Sequence, residues 1–219
     1  MFLKEEDKKI VRRQLTAMTG RVRMVNFTQT LECQYCQDTR QLLEELAVLS
    51  ELLSLEVYNF QTDRQVAEQY GVTQIPATVL VPENNPHGRV KFYGIPAGYE
   101  FNSLLDGILD LSTGQLNLPA EIEKGLASIK KPVHLQVFVT PTCPYCPAAV
   151  RTAHKFAILN PLIRAEMVEA IEFPHLAQRY SVRGVPRTIV NEKWSLEGAV
   201  PPAAVLAKIR EALAENQAG

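Results

Sequence analysis

No stretch of 18 uncharged apolar residues occurs in the sequence, which argues against a membrane-spanning helix. Nor is there a dense run of Lys and Arg, and the formal net charge is −1, so nothing offers the bulk attraction that nucleic acid or an acidic membrane requires. The first residues, MFLKEEDKKIVRRQ, mix both signs of charge and lack the apolar stretch of a secretory signal. Together these absences predict a cytoplasmic protein with neither nucleic-acid nor membrane partners. What remains is of ordinary composition: 219 residues, 46% hydrophobic and 21% charged. That is enough for one large domain or for two of about 100 residues, each with an adequate core.

Cysteine is the most telling scarcity. There are four, all in two CxxC pairs, Cys33 with Cys36 and Cys143 with Cys146, so none is left to bridge distant segments. A structural disulfide framework scatters its cysteines, whereas CxxC closes a tiny loop and stabilises a fold little. The pattern suits cysteines chosen for reactivity. Four thiolates also make a closed zinc site. Zinc ribbons, however, separate their pairs by about 15 to 20 residues, and here more than 100 intervene. The four histidines, His87, His134, His154 and His175, include no two at helical ligand spacing, so no metal is expected. His154, which could tune Cys143, is expected as a partly exposed surface residue, and Trp194 as a packing residue of a hairpin.

The chain repeats itself. The segment MVNFTQTLECQYCQDTRQLLEELA (24 to 47) has a counterpart, HLQVFVTPTCPYCPAAVRTAHKFA (134 to 157), 110 residues later. The same shift carries Tyr70-Gly71-Val72 onto Tyr180-Ser181-Val182, and Ile75-Pro76-Ala77-Thr78 onto Val185-Pro186-Arg187-Thr188. In both copies 43 residues separate the first cysteine from the later proline.

Each copy reads as strand, CxxC, helix, strand, short helix, proline turn, strand pair and final helix. In the first, strands are expected at 24–28, 55–60, 77–81 and 89–93, helices at 37–53, 63–70 and 101–111, and a hairpin turn at Asn84-Asn85-Pro86-His87-Gly88. In the second, strands are expected at 133–139, 163–171, 188–191 and near Trp194, and helices at 147–159, 175–180 and 202–214. Extra helices precede the copies at 5–17 and 119–130, and the domain boundary falls at 117/118, giving units 1–117 and 118–219. A strand-helix-strand crossover followed by a hairpin and a helix predicts a mixed four-stranded sheet with flanking helices. That is the thioredoxin arrangement, an α/β fold, twice over.

CxxC at a helix start is a redox device. The nucleophile of thiol-disulfide exchange is the thiolate, and a free cysteine ionises only near a pKa of about 8.5. Unpaired amides and the positive dipole end of a helix stabilise the charged sulfur of Cys33 or Cys143. The two-residue spacer brings Cys36 or Cys146 within reach to resolve a mixed disulfide. The spacers differ, Gln34-Tyr35 against Pro144-Tyr145, which predicts different reduction potentials. Tyr35 and Tyr145 are candidate substrate contacts, or simply covers for the disulfide. Pro76 and Pro186, at a fixed interval from CxxC, are expected to be cis. The backbone of Ile75 or Val185 would then face the sulfurs and could pair with an extended substrate segment.

These residues resemble the glutaredoxin-like protein disulfide oxidoreductases of thermophiles. The likeness rests on the CQYC and CPYC sites, the IPAT and VPRT turns, Tyr93-Gly94-Ile95-Pro96-Ala97-Gly98, and the run Val139 to Pro147. It implies two thioredoxin-fold units joined into one continuous sheet, and reduction, oxidation and isomerisation of protein disulfides. It also implies recharging by a thioredoxin-reductase-like flavoprotein, with no cofactor beyond the two redox-active disulfides. By position, Cys33 and Cys143 would be attacking thiolates, Cys36 and Cys146 resolving thiols, and Pro76 and Pro186 cis-prolines, with Ile75, Val185, Pro144 and both tyrosines toward substrate. The CPYC site would be the more active. One departure stands out: the buried Asp that thioredoxin carries six residues before its first active cysteine is here Phe27 or Val137. A proton acceptor must come from elsewhere.

A rival reading is a dedicated electron donor to a peroxidase, resembling the tandem module of alkyl hydroperoxide reductase flavoproteins, which would make a peroxiredoxin the partner. Such a module needs only one functional CxxC, and two are present. A peptide-binding chaperone with incidental thiols is a third reading.

Overall fold

A computed structural model of the chain describes residues 2–83 and 88–215. The tip of the expected hairpin, including Asn84 to His87, lies outside the described residues. The chain divides into two compact units, one of residues 1–95 and 105–115, the other of 96–104 and 116–219.

The first unit contains α1 (Glu5–Leu15), β1 (Val22–Thr28), α2 (Cys36–Ala47), β2 (Leu53–Asn59), α3 (Arg64–Gln69), β3 (Ala77–Pro82) and β4 (Val90–Tyr93). It also holds most of α4 (Glu100–Thr113). Its strands run in the order β2-β1-β3-β4. β1 is parallel to β2 and antiparallel to β3, and β3 is antiparallel to β4. Parallel neighbours need a crossover, which α2 supplies, its stripe of Leu42, Leu43 and Leu46 buried. Phe27, Leu80, Phe92 and Ile108 are wholly buried as well. Each such side chain contributes about 1.5–3 kcal/mol of apolar burial.

The helix expected over 37–53 ends at Ala47. Leu53 belongs instead to β2, where it pairs with Val22, and Val48 is left 77% exposed. Leu49 and Leu53 continue the helical spacing by coincidence, since pairing with β1 satisfies the backbone of the second.

The second unit contains α5 (Ala120–Ala127), β5 (Val133–Val139), α6 (Cys146–Leu159), β6 (Ile163–Glu169), α7 (Pro174–Arg179), β7 (Arg187–Val190), β8 (Trp194–Glu197) and α8 (Pro202–Glu215). Its strands run β6-β5-β7-β8, with the same parallel and antiparallel pairings. β6 stops two residues short of the expected Ile171. The Glu169 carboxylate accepts the Glu172 amide at 2.6 Å and turns the chain there. α5 packs on α6 and α8. Asn160, at the end of α6, donates to the carbonyls of Leu126 (2.7 Å) and Ile129 (3.2 Å) and so fastens α5 in place.

Candidate active site: a dithiol pair at each helix start

β1 and β5 end at Thr28 and Val139, and each CxxC follows within a few residues, with the second cysteine opening α2 or α6. Both pairs are disulfide-bonded, with Cα atoms 5.4 Å apart at the first site and 5.5 Å at the second. The N-cap positions are Tyr35 and Tyr145, and neither side chain caps its helix. No cap side chain therefore competes with sulfur for the first-turn amides. Cys36 is 1% exposed and Cys146 fully buried, whereas Cys33 is half-buried and Cys143 is 8% exposed. In each pair the first cysteine is the more accessible.

The peptide bonds Ile75–Pro76 and Val185–Pro186 are both cis. Register sets where they fall along the sheet. Ala77 pairs with Phe27 and Arg187 with Phe138, so each preceding proline sits level with the end of the strand that feeds CxxC. The carbonyl of Pro76 accepts the Gly94 amide at 2.9 Å, and that of Pro186 accepts the Gly198 amide at 2.8 Å. Both proline turns are thereby tied to the following hairpin. Phe27 and Val137, where an acid was missing, are fully buried.

The two sites differ in detail. Tyr145 is 71% exposed, while Tyr35 is half-buried. Pro144 and Pro147 remove two amide donors that Gln34 and Gln37 retain. His154, expected at the surface, is 2% exposed. Its counterpart Glu44 is exposed and pairs with Arg40, so the same helix position faces solvent on α2 and is enclosed on α6. Trp194 is half-buried on β8 with the Lys193 ammonium 4.7 Å from its ring.

Glu100 is the residue that sequence reasoning missed. The Tyr99 amide donates to the Pro141 carbonyl at 3.0 Å, two residues before Cys143. Gly98 packs so closely on Pro141 that a Cβ would strike its carbonyl, and its φ is +61°. Glu100 follows directly, 1% exposed, with neither oxygen in a well-aligned hydrogen bond. Burial raises its pKa to about 7, the Ser103 hydroxyl offsetting part of the rise. The signal was a lone acid in the motif Gly98-Tyr99-Glu100, whose packing against Pro141 is not a local property. Glu169 is also buried and its pKa raised by desolvation, but it serves the turn after β6. Among the described residues no group of three His, Cys, Asp or Glu side chains is placed to hold a metal, and no helix is long and apolar enough to cross a membrane.

A thioredoxin-domain family model matches the chain twice, at residues 24–106 and 133–211. The chain belongs to the thioredoxin-domain family. It is similar over nearly its whole length to a protein disulfide oxidoreductase from Aeropyrum pernix, with 31% identity, a TM-score of 0.90, and coverage of 97% of this chain and 94% of that one. The alkyl hydroperoxide reductase AhpF from Enterococcus faecalis has the same fold, with a TM-score of 0.89, 24% identity, and coverage of 95% and 100%. Among curated proteins, the corresponding alkyl hydroperoxide reductase chain from Xanthomonas campestris is 24% identical over 81% of this chain, which spans 31% of that protein's length. Two CxxC disulfides in thioredoxin-fold units make this family member a thiol-disulfide oxidoreductase.

Proposed function

We propose that the chain catalyses thiol-disulfide exchange on proteins through two domains, 1–117 and 118–219, each with its own dithiol. The observation that carries the reading is the recurrence, in both units, of a CxxC pair at an uncapped helix start with a cis-proline following at the same interval. In the reducing direction the Cys33 or Cys143 thiolate attacks a substrate disulfide. One S–S bond forms, the substrate S–S bond breaks, and the first substrate sulfur leaves and takes a proton. Cys36 or Cys146 then gives up its proton and attacks the mixed disulfide. The second substrate thiol departs and the pair closes, two electrons and two protons having passed to substrate. The oxidising direction is the reverse.

At the second site Glu100 is the candidate acceptor for the Cys146 proton, because a buried carboxyl with a pKa of about 7 exchanges protons readily near neutrality. Ile75 and Val185 offer backbone to an extended substrate segment beside Pro76 and Pro186, with Tyr35, Tyr145 and Pro144 as flanking contacts. A thioredoxin-reductase-like flavoprotein would recharge the pairs, with no bound cofactor, in the cytoplasm of a thermophile. The test is trapping: Cys36→Ser and Cys146→Ser variants should accumulate mixed disulfides with protein substrates through Cys33 and Cys143. Absence of any adduct at either site would refute exchange catalysis.

The second reading, an electron donor to a peroxidase of the peroxiredoxin class, is favoured by the similarity to the alkyl hydroperoxide reductases. Reduced protein would then discharge onto an oxidised peroxiredoxin at least about tenfold faster than onto insulin, a rate ratio worth about 1.4 kcal/mol.

A further inference from the structure

The two dithiol sites carry opposite uncompensated charge at their rims. At the first, Glu32 immediately precedes Cys33, exposed and held at φ +56°, and Asp38 lies exposed in the first turn of α2. Neither makes an ion pair or hydrogen bond among the described residues. The nearest cations in sequence on either side are engaged elsewhere, Arg40 with Glu44 at 2.7 Å and Arg23 with Glu56 at 2.9 Å. No Lys or Arg occurs from Thr28 to Thr39, or from Val72 to Val81.

At the second site Thr142 and Ala148 stand where Glu32 and Asp38 do, and no charged residue occurs from Val139 to Val150. Here the rim charge is positive. Arg183 is exposed, two residues before Val185, where the first unit has Thr73, and it too makes no ion pair or hydrogen bond among the described residues. Arg187 follows Pro186 but is paired with Glu197 at 2.7 Å and with the Ser195 hydroxyl at 3.0 Å. The carboxylates of this unit that lie nearest in the chain do not offset Arg183 at the surface. Glu192 is engaged with His134 and Arg164, Glu197 holds Arg187, and Glu169 is buried and turned onto the Glu172 amide. Glu172 is half-buried with a partner of its own, and the Arg179 guanidinium lies over the Tyr180 ring.

An extended segment lying along Ile75 or Val185 passes these side chains within two or three residues of its own cysteine, at about 3.3 Å per residue. Charges that close interact even in water, and the interaction is screened by salt. We propose that the two sites sort protein disulfides by charge: the first takes disulfides flanked by Lys and Arg, the second those flanked by Asp and Glu. This rests on the exchange function proposed above and adds a substrate class to each site. The electron and proton balance is unchanged.

The test uses the full chain in two forms, Cys143→Ser/Cys146→Ser with the first pair alone, and Cys33→Ser/Cys36→Ser with the second. Each is reduced and mixed with symmetric peptide disulfides flanked by lysines or by glutamates. Single-turnover rates are read by acid quench and mass spectrometry and normalised to dithiothreitol reacting with the same peptides. At about 20 mM salt the first pair should favour the lysine peptide about fivefold and the second the glutamate peptide about threefold, both ratios approaching one at about 0.5 M. Glu32→Gln with Asp38→Asn should erase the first preference, and Arg183→Ala the second. The same ranking at both pairs, or preferences that survive high salt, would overturn the sorting while leaving exchange intact. If neither peptide oxidises either form, the exchange function itself fails, and the sorting with it.

Discussion

At the first site Cys33 keeps part of its surface in solvent, Pro76 is followed by a buried Ala77, and the outer face of α2 carries the exposed Glu44. At the second, Cys143 is buried, Pro186 is followed by an Arg187 held to Glu197, and α6 carries a buried His154 at the position of Glu44. The backbone frame is the same in both, down to the cis bond and the amide that ties each proline carbonyl. What this teaches is that the frame places the sulfurs, while the residues packed around it set how each pair behaves.

The sharpest break between the sites comes from removing the nucleophiles. Cys33→Ser with Cys143→Ser should lower the rate of insulin reduction at least about 100-fold, a loss of roughly 3 kcal/mol or more in barrier terms. Cys143→Ser alone should cost more than Cys33→Ser alone if the CPYC site is the more active. Equal residual rates would remove that ranking.

Burial supplies the next contrast. His154→Glu places a carboxylate in an enclosed position and should destabilise by about 3 kcal/mol in denaturant titration, whereas Glu44→His should change stability by less than about 0.5 kcal/mol. Comparable losses would mean that the two helix faces are not differently covered.

Glu100 gives a pH dependence that belongs to the second unit. A carboxyl whose folded pKa of about 7 exceeds its ordinary 4.5 binds its proton more tightly in the fold. Stability is then greatest below pH 4.5 and is lost as pH rises from there through about 7. Glu100→Gln should therefore raise stability at pH 8 by up to about 3 kcal/mol and change it little at pH 5. A stabilisation equal at both values would show that Glu100 does not hold a raised pKa.

Smaller still is the effect of the Gly98 contact. Gly98→Ala combines a positive φ with a clash at the Pro141 carbonyl and should cost about 1–2 kcal/mol. The same change at Gly114, which has open space around a similar φ, should cost less than about 1 kcal/mol.

The repeat made most of the fold legible, because alternating apolar strands and the interval from cysteine to proline are local patterns that pairing then uses directly. Helix α2 shows the limit: Leu49 and Leu53 fit the helical stripe, and only pairing with Val22 reveals Leu53 as strand. His154 shows another, since nothing in its own helix announces that tertiary packing will enclose it. The two CxxC pairs and the cis form of both proline bonds were expected from spacing, and the disulfides and cis bonds are present. Glu100 was not expected, because its proximity to the second site comes from tertiary packing of Tyr99 on Pro141.

The most direct measurement is the pH dependence of alkylation of Cys33 and Cys143 in reduced protein, each followed separately by peptide mass. Both should ionise well below the ordinary thiol value of about 8.5, with Cys36 and Cys146 unreactive in the same range. If Cys33 and Cys143 react with an apparent pKa near 8.5, helix-start activation of the paired sulfurs is contradicted.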